Sequence, residues 1–185
     1  MRRRDFTIGL AVAAGARAVR AQQPKGMPRV GILSDETRSV AAEFFEPPFV
    51  QALQALGWVD GLSISFERRY AERKYEILPS LAAELISLRP DVILAIGTPA
   101  ARAAKSATQT IPIVFARVGD PVGIGLVPAL ARPGGNLTGV SILTKETGAK
   151  RLELQIATVP SAKRAGVLWN PSNPSAKSSK RRLGS

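Results

Sequence analysis

Neither cysteine nor histidine occurs in the 185 residues of this chain. Without cysteine there is no disulfide, no thiolate nucleophile, no thiolate-held metal and no lipid attached through an N-terminal cysteine. Without histidine the usual general base and the commonest transition-metal ligand are both missing, which weighs against ordinary hydrolase and zinc-enzyme chemistry. Aromatic residues make up only 5% of the chain, and the two tryptophans, Trp58 and Trp169, stand outside any basic cluster. Little is therefore available to stack on bases. A long apolar run is also lacking, since the stretch from Thr7 to Ala16 falls short of the ~20 residues that span a bilayer.

The net charge of +12 invites a nucleic-acid reading until its distribution is examined. Residues 1–21 carry +4, Lys177, Lys180, Arg181 and Arg182 another +4, and residues 22–176 the remaining +4. The excess is terminal and the middle is an ordinary mixed-charge surface, so nucleic acid is not an expected partner.

The first residues have a recognisable order. Arg2-Arg3-Arg4-Asp5-Phe6 precedes the short apolar run, and Val19-Arg20-Ala21-Gln22-Gln23 supplies a small-residue cleavage site. Charged start, apolar segment and small residues predict an export signal over 1–21, cut near Ala21. Arg3-Arg4 just before Phe6 resembles a twin-arginine signal, whose passenger crosses the membrane already folded. The mature chain is then expected to be soluble, extracytoplasmic and free of a lipid anchor.

Strand and helix patterns alternate from Arg29 onward. Strands are predicted at Arg29–Leu33, Leu62–Phe66, Val92–Ile96, Ile113–Ala116, Leu137–Ser141 and Arg164–Trp169. Helices are predicted from Ala41 to Leu56, starting near Pro47-Pro48, and at Ile77–Leu88, after Gly97-Thr98-Pro99, at Leu126–Leu130 and at Lys145–Ala157. This alternation implies an α/β fold with a doubly wound, mainly parallel sheet. After Asn173 the periodicity stops, leaving an irregular basic tail over 175–185.

In such a sheet, ligands bind outside the carboxyl ends of the strands. The loops of interest are Ser34-Asp35-Glu36, Gly97-Thr98-Pro99, Gly119-Asp120-Pro121 and Ser141-Ile142-Leu143-Thr144. Thr98 is placed as a helix N-cap with Pro99 as the first helical residue, and the start of that helix would seat a carboxylate or phosphate. Thr98 either contacts a ligand there or only caps its helix. Asp120 either orients a ligand's amino group or only shapes its turn. Pro133-Gly134-Gly135-Asn136 lacks the Gly-Lys-Ser/Thr ending of a phosphate loop and reads as a plain turn. Arg68-Arg69 and Arg73-Lys74, with Glu67, Glu72 and Glu76 interleaved, read as solvated charges around a strand end.

Taken in order, Arg29-Val30-Gly31-Ile32-Leu33, Leu56-Gly57-Trp58-Val59-Asp60-Gly61, Arg89-Pro90-Asp91-Val92-Ile93, Gly97-Thr98-Pro99-Ala100, Thr110-Ile111-Pro112-Ile113-Val114, Asp120-Pro121-Val122-Gly123 and Ala131-Arg132-Pro133-Gly134-Gly135-Asn136-Leu137-Thr138-Gly139 closely resemble the ABC-transporter substrate-binding proteins of the tryptophan/tyrosine type. The resemblance runs from about Arg29 to Asn173. It implies a type I periplasmic binding-protein fold, with residues 28–142 as the first α/β lobe and 143–174 as an incomplete second lobe. It also implies a periplasmic receptor that takes a small, amino-acid-like ligand and delivers it to an ABC permease in the inner membrane, with no cofactor and no catalysis. Carried over by position, Ser34, Gly97, Thr98, Asp120 and Ser141 would line the first lobe's side of the cleft, and Asn170 would begin the second. Because the resemblance fades after Asn173, a truncated copy or fragment is expected, with Trp169 and the 145–157 helix incompletely covered and ligand binding in question. Two other readings compete: a docking or sensory lobe that never closes on ligand, and an α/β enzyme using Asp35, Glu36 or Asp120 as acid or base.

Overall fold

The computed structural model of the chain describes residues 26–142, 144–161, 164, 166 and 170–173. The signal reading over 1–21, most of the sixth strand and the basic tail lie outside these residues. Five strands form one sheet, all neighbours parallel: β1 Arg29–Ser34, β2 Ser65–Tyr70, β3 Val92–Ile96, β4 Ile113–Gly119 and β5 Leu137–Ile142, in the order β2-β1-β3-β4-β5. Between β1 and β2 lie α1 Arg38–Val40, a π-helical turn Ala41–Phe45 and α2 Pro47–Ala55. A 3-10 turn Tyr75–Ile77 leads into α3 Leu78–Ser87, α4 Thr98–Ala107 follows β3, and α5 Thr144–Thr158 follows β5. No helix among the described residues is long and apolar enough to cross a membrane.

The side-chain period of two explains why the central strands read as unbroken apolar runs. Val30, Ile32, Leu94 and Ile96 face α2, with Phe45, Phe49 and Leu53 packed against them. Leu33, Ile93, Ala95 and Phe115 face the other way, onto Leu78, Ala82 and Leu85 of α3 and Ala101 and Ala104 of α4. Helices cover both faces, as the doubly wound reading requires. Gly31 lets α3 approach β1 closely, because a Cβ there would lie 2.9 Å from the Leu85 side chain.

The strand order reverses beside β1. The chain moves outward from β1 to β2 through α2, then crosses back through α3 to place β3 on the other side. Helices α2 and α4, which follow β1 and β3, therefore lie on opposite faces of the sheet, the arrangement of a switch point in an open α/β sheet.

Several local expectations need correction. The second strand begins at Ser65 and not Leu62, because residues 61–63 form a turn in which Leu62 is exposed. It continues through the charged pair Arg68-Arg69 to Tyr70, which an edge strand tolerates. Those arginines are paired at long range: Arg68 with Glu46 at 3.0 Å and Asp60 at 3.4 Å, Arg69 with Glu84 at 3.1 Å, and Arg73 with Glu36 at 2.9 Å. β4 runs on past Ala116 to Gly119 through a register shift between Phe115 and Val118. The segment expected to be a helix at 126–130 is irregular, and the Leu126 and Val127 N–H groups both return to the Pro121 carbonyl. The helix at Pro47 starts where the sequence places it. Ahead of it, the Glu46 N–H reaches back five residues to the Ala41 carbonyl, giving a π turn that the Pro47 ring ends.

Candidate functional site

Backbone bonds tie the loops together at the reversal point. Beyond β1, the Asp35 N–H donates to the Ile96 carbonyl at 3.2 Å, and the Arg73 N–H donates to the Asp35 carbonyl at 3.1 Å. Ser34 is wholly buried, and its hydroxyl accepts the Glu36 N–H at 3.2 Å, which shapes the turn after the strand. Beyond β3, Gly97 adopts φ 96°, a left-handed conformation suited to glycine, and its N–H donates to Ala116 at 2.9 Å. Gly97 is the N-cap of α4, which corrects the assignment of that position to Thr98. Thr98 is the first helical residue. Its Oγ1 accepts the Gly119 N–H at 3.2 Å, a buried tie from α4 to the end of β4.

The other expected residues spread out from this centre. Asp120 follows β4 at φ 49°, and its Oδ1 accepts the Gly123 N–H at 3.0 Å. Ser141 lies on β5 opposite Val118 and lines a small separate cavity with Phe115, Val127 and Leu130. Asn170 accepts the Ser172 N–H at 2.9 Å and hydrogen-bonds Tyr75, while Ser172 lines a groove of about 630 Å³ between α3 and α4. Ser34, Gly97, Thr98 and Asp120 thus occupy the ends of β1, β3 and β4. Ser141 lies at the carboxyl end of β5, next to the end of β4, and Asn170 is tied to Tyr75 ahead of α3.

Charge gathers at the same carboxyl edge. Glu36 accepts from Arg73 at 2.9 Å and from Arg117 at 3.5 Å. The Arg117 guanidinium lies 3.8 Å from the centroid of the Phe45 ring, on the π turn, a cation–π stack. The strand irregularity that aims Arg117 holds it at φ 58°, in the left-handed region that side chains disfavour. Among the described residues, four of the five non-glycine residues with positive φ, namely Glu72, Arg73, Arg117 and Asp120, sit at the carboxyl ends of β2 and β4. Strain of this kind concentrates at functional sites.

Asp35 is buried, and its carboxylate packs on Gly97, where a Cβ would stand 2.2 Å from either oxygen. Burial pushes its pKa up to about 6, against the opposing pull of Arg117, with Glu36 adding a further push. Burial also raises the Tyr75 phenol, and the negative charges of Asp35 and Glu36 raise it further. The sequence points to the Ser34-Asp35-Glu36 loop but not to Arg117 or Phe45. One signal for Arg117 was present: a cation interrupting the apolar run from Ile113 to Val118. Among the described residues no group of three potential metal-ligating side chains comes together.

The family described as ABC transporter substrate binding protein matches residues 46–184. A tyrosine-binding protein of Clostridioides difficile is 40% identical over 129 residues, which are 70% of this chain and 37% of that protein. Among solved structures, a conserved domain protein of Vibrio cholerae superposes with a TM-score of 0.78 at 33% identity. The ABC domain from Streptococcus pneumonia in complex with L-Trp gives 0.74 at 27% identity. The ligand-free, open structure of a substrate binding protein with adhesive properties from Clostridium difficile gives 0.66 at 34% identity. The first and third cover 85% of this chain and the second 84%, and in each case 52% of the solved chain is spanned. The chain thus spans about half the length of the solved relatives, and less of the curated one. Its parallel α/β lobe is of the periplasmic-binding-protein type, and its relatives named for a function are binding proteins, not enzymes. With the family matched over well more than half of its residues, the chain belongs to the ABC transporter substrate binding proteins.

Proposed function

We propose that the chain forms one wall of the solute cleft of an ABC importer's receptor, taking a free amino acid, aromatic by analogy with the tyrosine- and tryptophan-binding relatives. The observation that carries this reading is the carboxyl edge at the reversal of strand order. Asp35, Gly97, Thr98, Arg117 and Asp120 converge there with opposite charges, positive φ angles and buried polar groups, in a sheet whose interior is otherwise apolar. Ser34 and Thr98 set the loops, Gly97 leaves room beside the helix start, and Asp120 offers a carboxylate. Ser141 and Asn170 belong to the proposed cleft as its outer members.

In this reading residues 1–21 are an export signal cut near Ala21, residues 28–142 the first lobe, 143–174 the beginning of the second and 175–185 a basic tail. The place of action is the periplasm, and the protein partner is the permease that accepts the solute. Calorimetric titration of the purified chain with L-tyrosine and L-tryptophan tests the proposal, with a sugar as control. Saturable binding of an amino acid and none of the sugar is expected. No binding of either amino acid at millimolar concentration would overturn it in favour of a docking lobe.

A further inference from the structure

Two buried polar atoms at the carboxyl edge have no hydrogen-bond partner among the described residues, Asp35 Oδ1 and Arg117 Nη1. One is an acceptor on a residue only 6% exposed and the other a donor on a permanent cation. Buried groups of this kind are nearly always satisfied, and a native exception calls for a reason. The two do not bond each other, although Arg117 is the charge that acts most strongly on Asp35. The backbone fixes the point from which each side chain starts. Asp35 is pinned between Ile96 and Arg73, and Arg117 is aimed by the irregularity in β4, braced by Glu36 and stacked on Phe45.

The position of the Asp35 carboxylate also changes what the start of α4 can accept. The sequence suggests that a ligand's carboxylate sits there, yet the Asp35 carboxylate already packs against Gly97 at that point. A second anion would be repelled and a cation attracted. Arg117, on the far side of β3, supplies the complementary charge.

We infer that Asp35 and Arg117 read the two ends of a free α-amino acid, with the ammonium on Asp35 and the carboxylate on Arg117. The inference rests on the binding role proposed above and deepens it, because it selects free zwitterions over amines, acids or peptides blocked at either end. Both atoms are covered in this arrangement, so each side chain turns outward about its own torsions to meet the ligand.

The test is a crossed titration of the full chain at neutral pH. L-tyrosine is compared with tyramine, which lacks the carboxylate, and with hydroxyphenylpropionate, which lacks the ammonium. The unsubstituted chain is expected to prefer L-tyrosine to either analogue by about tenfold or more, the scale of one charge-assisted hydrogen bond. Asp35→Asn should weaken L-tyrosine and tyramine by about tenfold to a hundredfold and leave the propionate unaffected or improved. Arg117→Gln should weaken L-tyrosine and the propionate and spare tyramine. Equal affinity for all three compounds, or a uniform loss for all three in both variants, would overturn the inference while leaving the receptor reading intact. Should the unsubstituted chain bind neither L-tyrosine nor L-tryptophan, both fail together.

Discussion

Ile32, Leu33, Ile93 and Ile96 are buried among apolar neighbours on both faces of the sheet, whereas just beyond β1 and late in β4 Asp35 and Arg117 are buried with an oxygen and a nitrogen left unpartnered among the described residues. The two regions share strands and hydrogen-bond ladders but differ in what burial does. In the interior each buried methylene contributes roughly 0.8 kcal/mol. At the edge, burial of charge works against folding. The interior therefore holds the lobe together, and the edge holds groups that the lobe would be more stable without.

The largest test of this contrast is in the interior. Leu85 is wholly buried, and its side chain fills the space that Gly31 leaves open. Leu85→Ala removes that contact and leaves a cavity between α3 and the sheet, at an expected cost of about 2–5 kcal/mol. Urea denaturation measures it. A loss below ~1 kcal/mol would mean that the interior is loosely packed and that the contrast with the edge is weaker than the burial pattern indicates.

At the edge the sign reverses. Asp35 has a folded-state pKa of about 6 against 3.8 for the free side chain, so between those values the folded state binds the proton more tightly. The Asp35 contribution to stability is most favourable below about pH 4, falls as the pH rises to 6 and is level above it, by a total on the order of 3 kcal/mol. Asp35→Asn removes this slope. The variant is expected to be more stable than the parent above pH 6 by up to that amount and to match it near pH 4, while binding an amino acid less well. Urea midpoints taken from pH 4 to 8 decide the matter. A variant that is less stable at pH 7 would show that Asp35 braces the edge and is not stored strain.

How much of this was legible in the sequence follows the same division. β3 is legible to the residue, and the unbroken run Val30-Gly31-Ile32-Leu33 specifies a strand buried on both sides, because apolar residues at successive positions face opposite sides of the sheet. The turn at 126–130 was misread because Leu126, Val127 and Leu130 have helical spacing, although Gly123, Gly125 and Pro128 disfavour a helix. At the edge, the residue types were visible but their partners were not. Thr98 has the composition of an N-cap, yet its hydroxyl serves Gly119, 21 residues away. Arg117 marks the irregularity in β4, which arises from pairing with β5 and leaves no local signature beyond one misplaced cation. Glu36 meets Arg73 and Arg117, 37 and 81 positions along the chain, and no local charge pattern predicts such pairs.

Arg117→Gly is a finer probe of the edge. The glycine relieves the left-handed conformation, worth about 1–2 kcal/mol, and removes the buried guanidinium nitrogen. It forfeits a cation–π stack of about 0.5–1 kcal/mol and a half-exposed ion pair of at most about 1 kcal/mol, and it loosens the unfolded chain. The net change is expected to lie within about 1 kcal/mol of zero, read from the same urea curves. A loss above ~2 kcal/mol would make Arg117 a structural brace and would move it from the edge's account to the interior's.

The smallest expected effect comes from α5, where a leucine in a helix has the opposite surroundings to Leu85. Every described residue from Lys150 to Ser161 is exposed, with Leu154 at 56% and Ile156 at 55%. Leu154→Glu changes little in helix propensity, and Leu154 belongs to neither apolar cluster of the described residues, so the expected change is within about 0.5 kcal/mol. Lys150 already pairs with Glu153 at 2.8 Å, and a new acid four residues beyond the lysine has the weaker orientation for a helical pair. A measured loss above ~1 kcal/mol would show that Leu154 is covered in solution, by a second copy or by another part of the chain. A concentration-dependent melt that disappears in the variant would identify the second copy. Leu85 and Leu154 are the same residue in the same kind of element, and whether their substitutions differ by several kcal/mol decides if α5 contributes to the folded lobe or only extends from it.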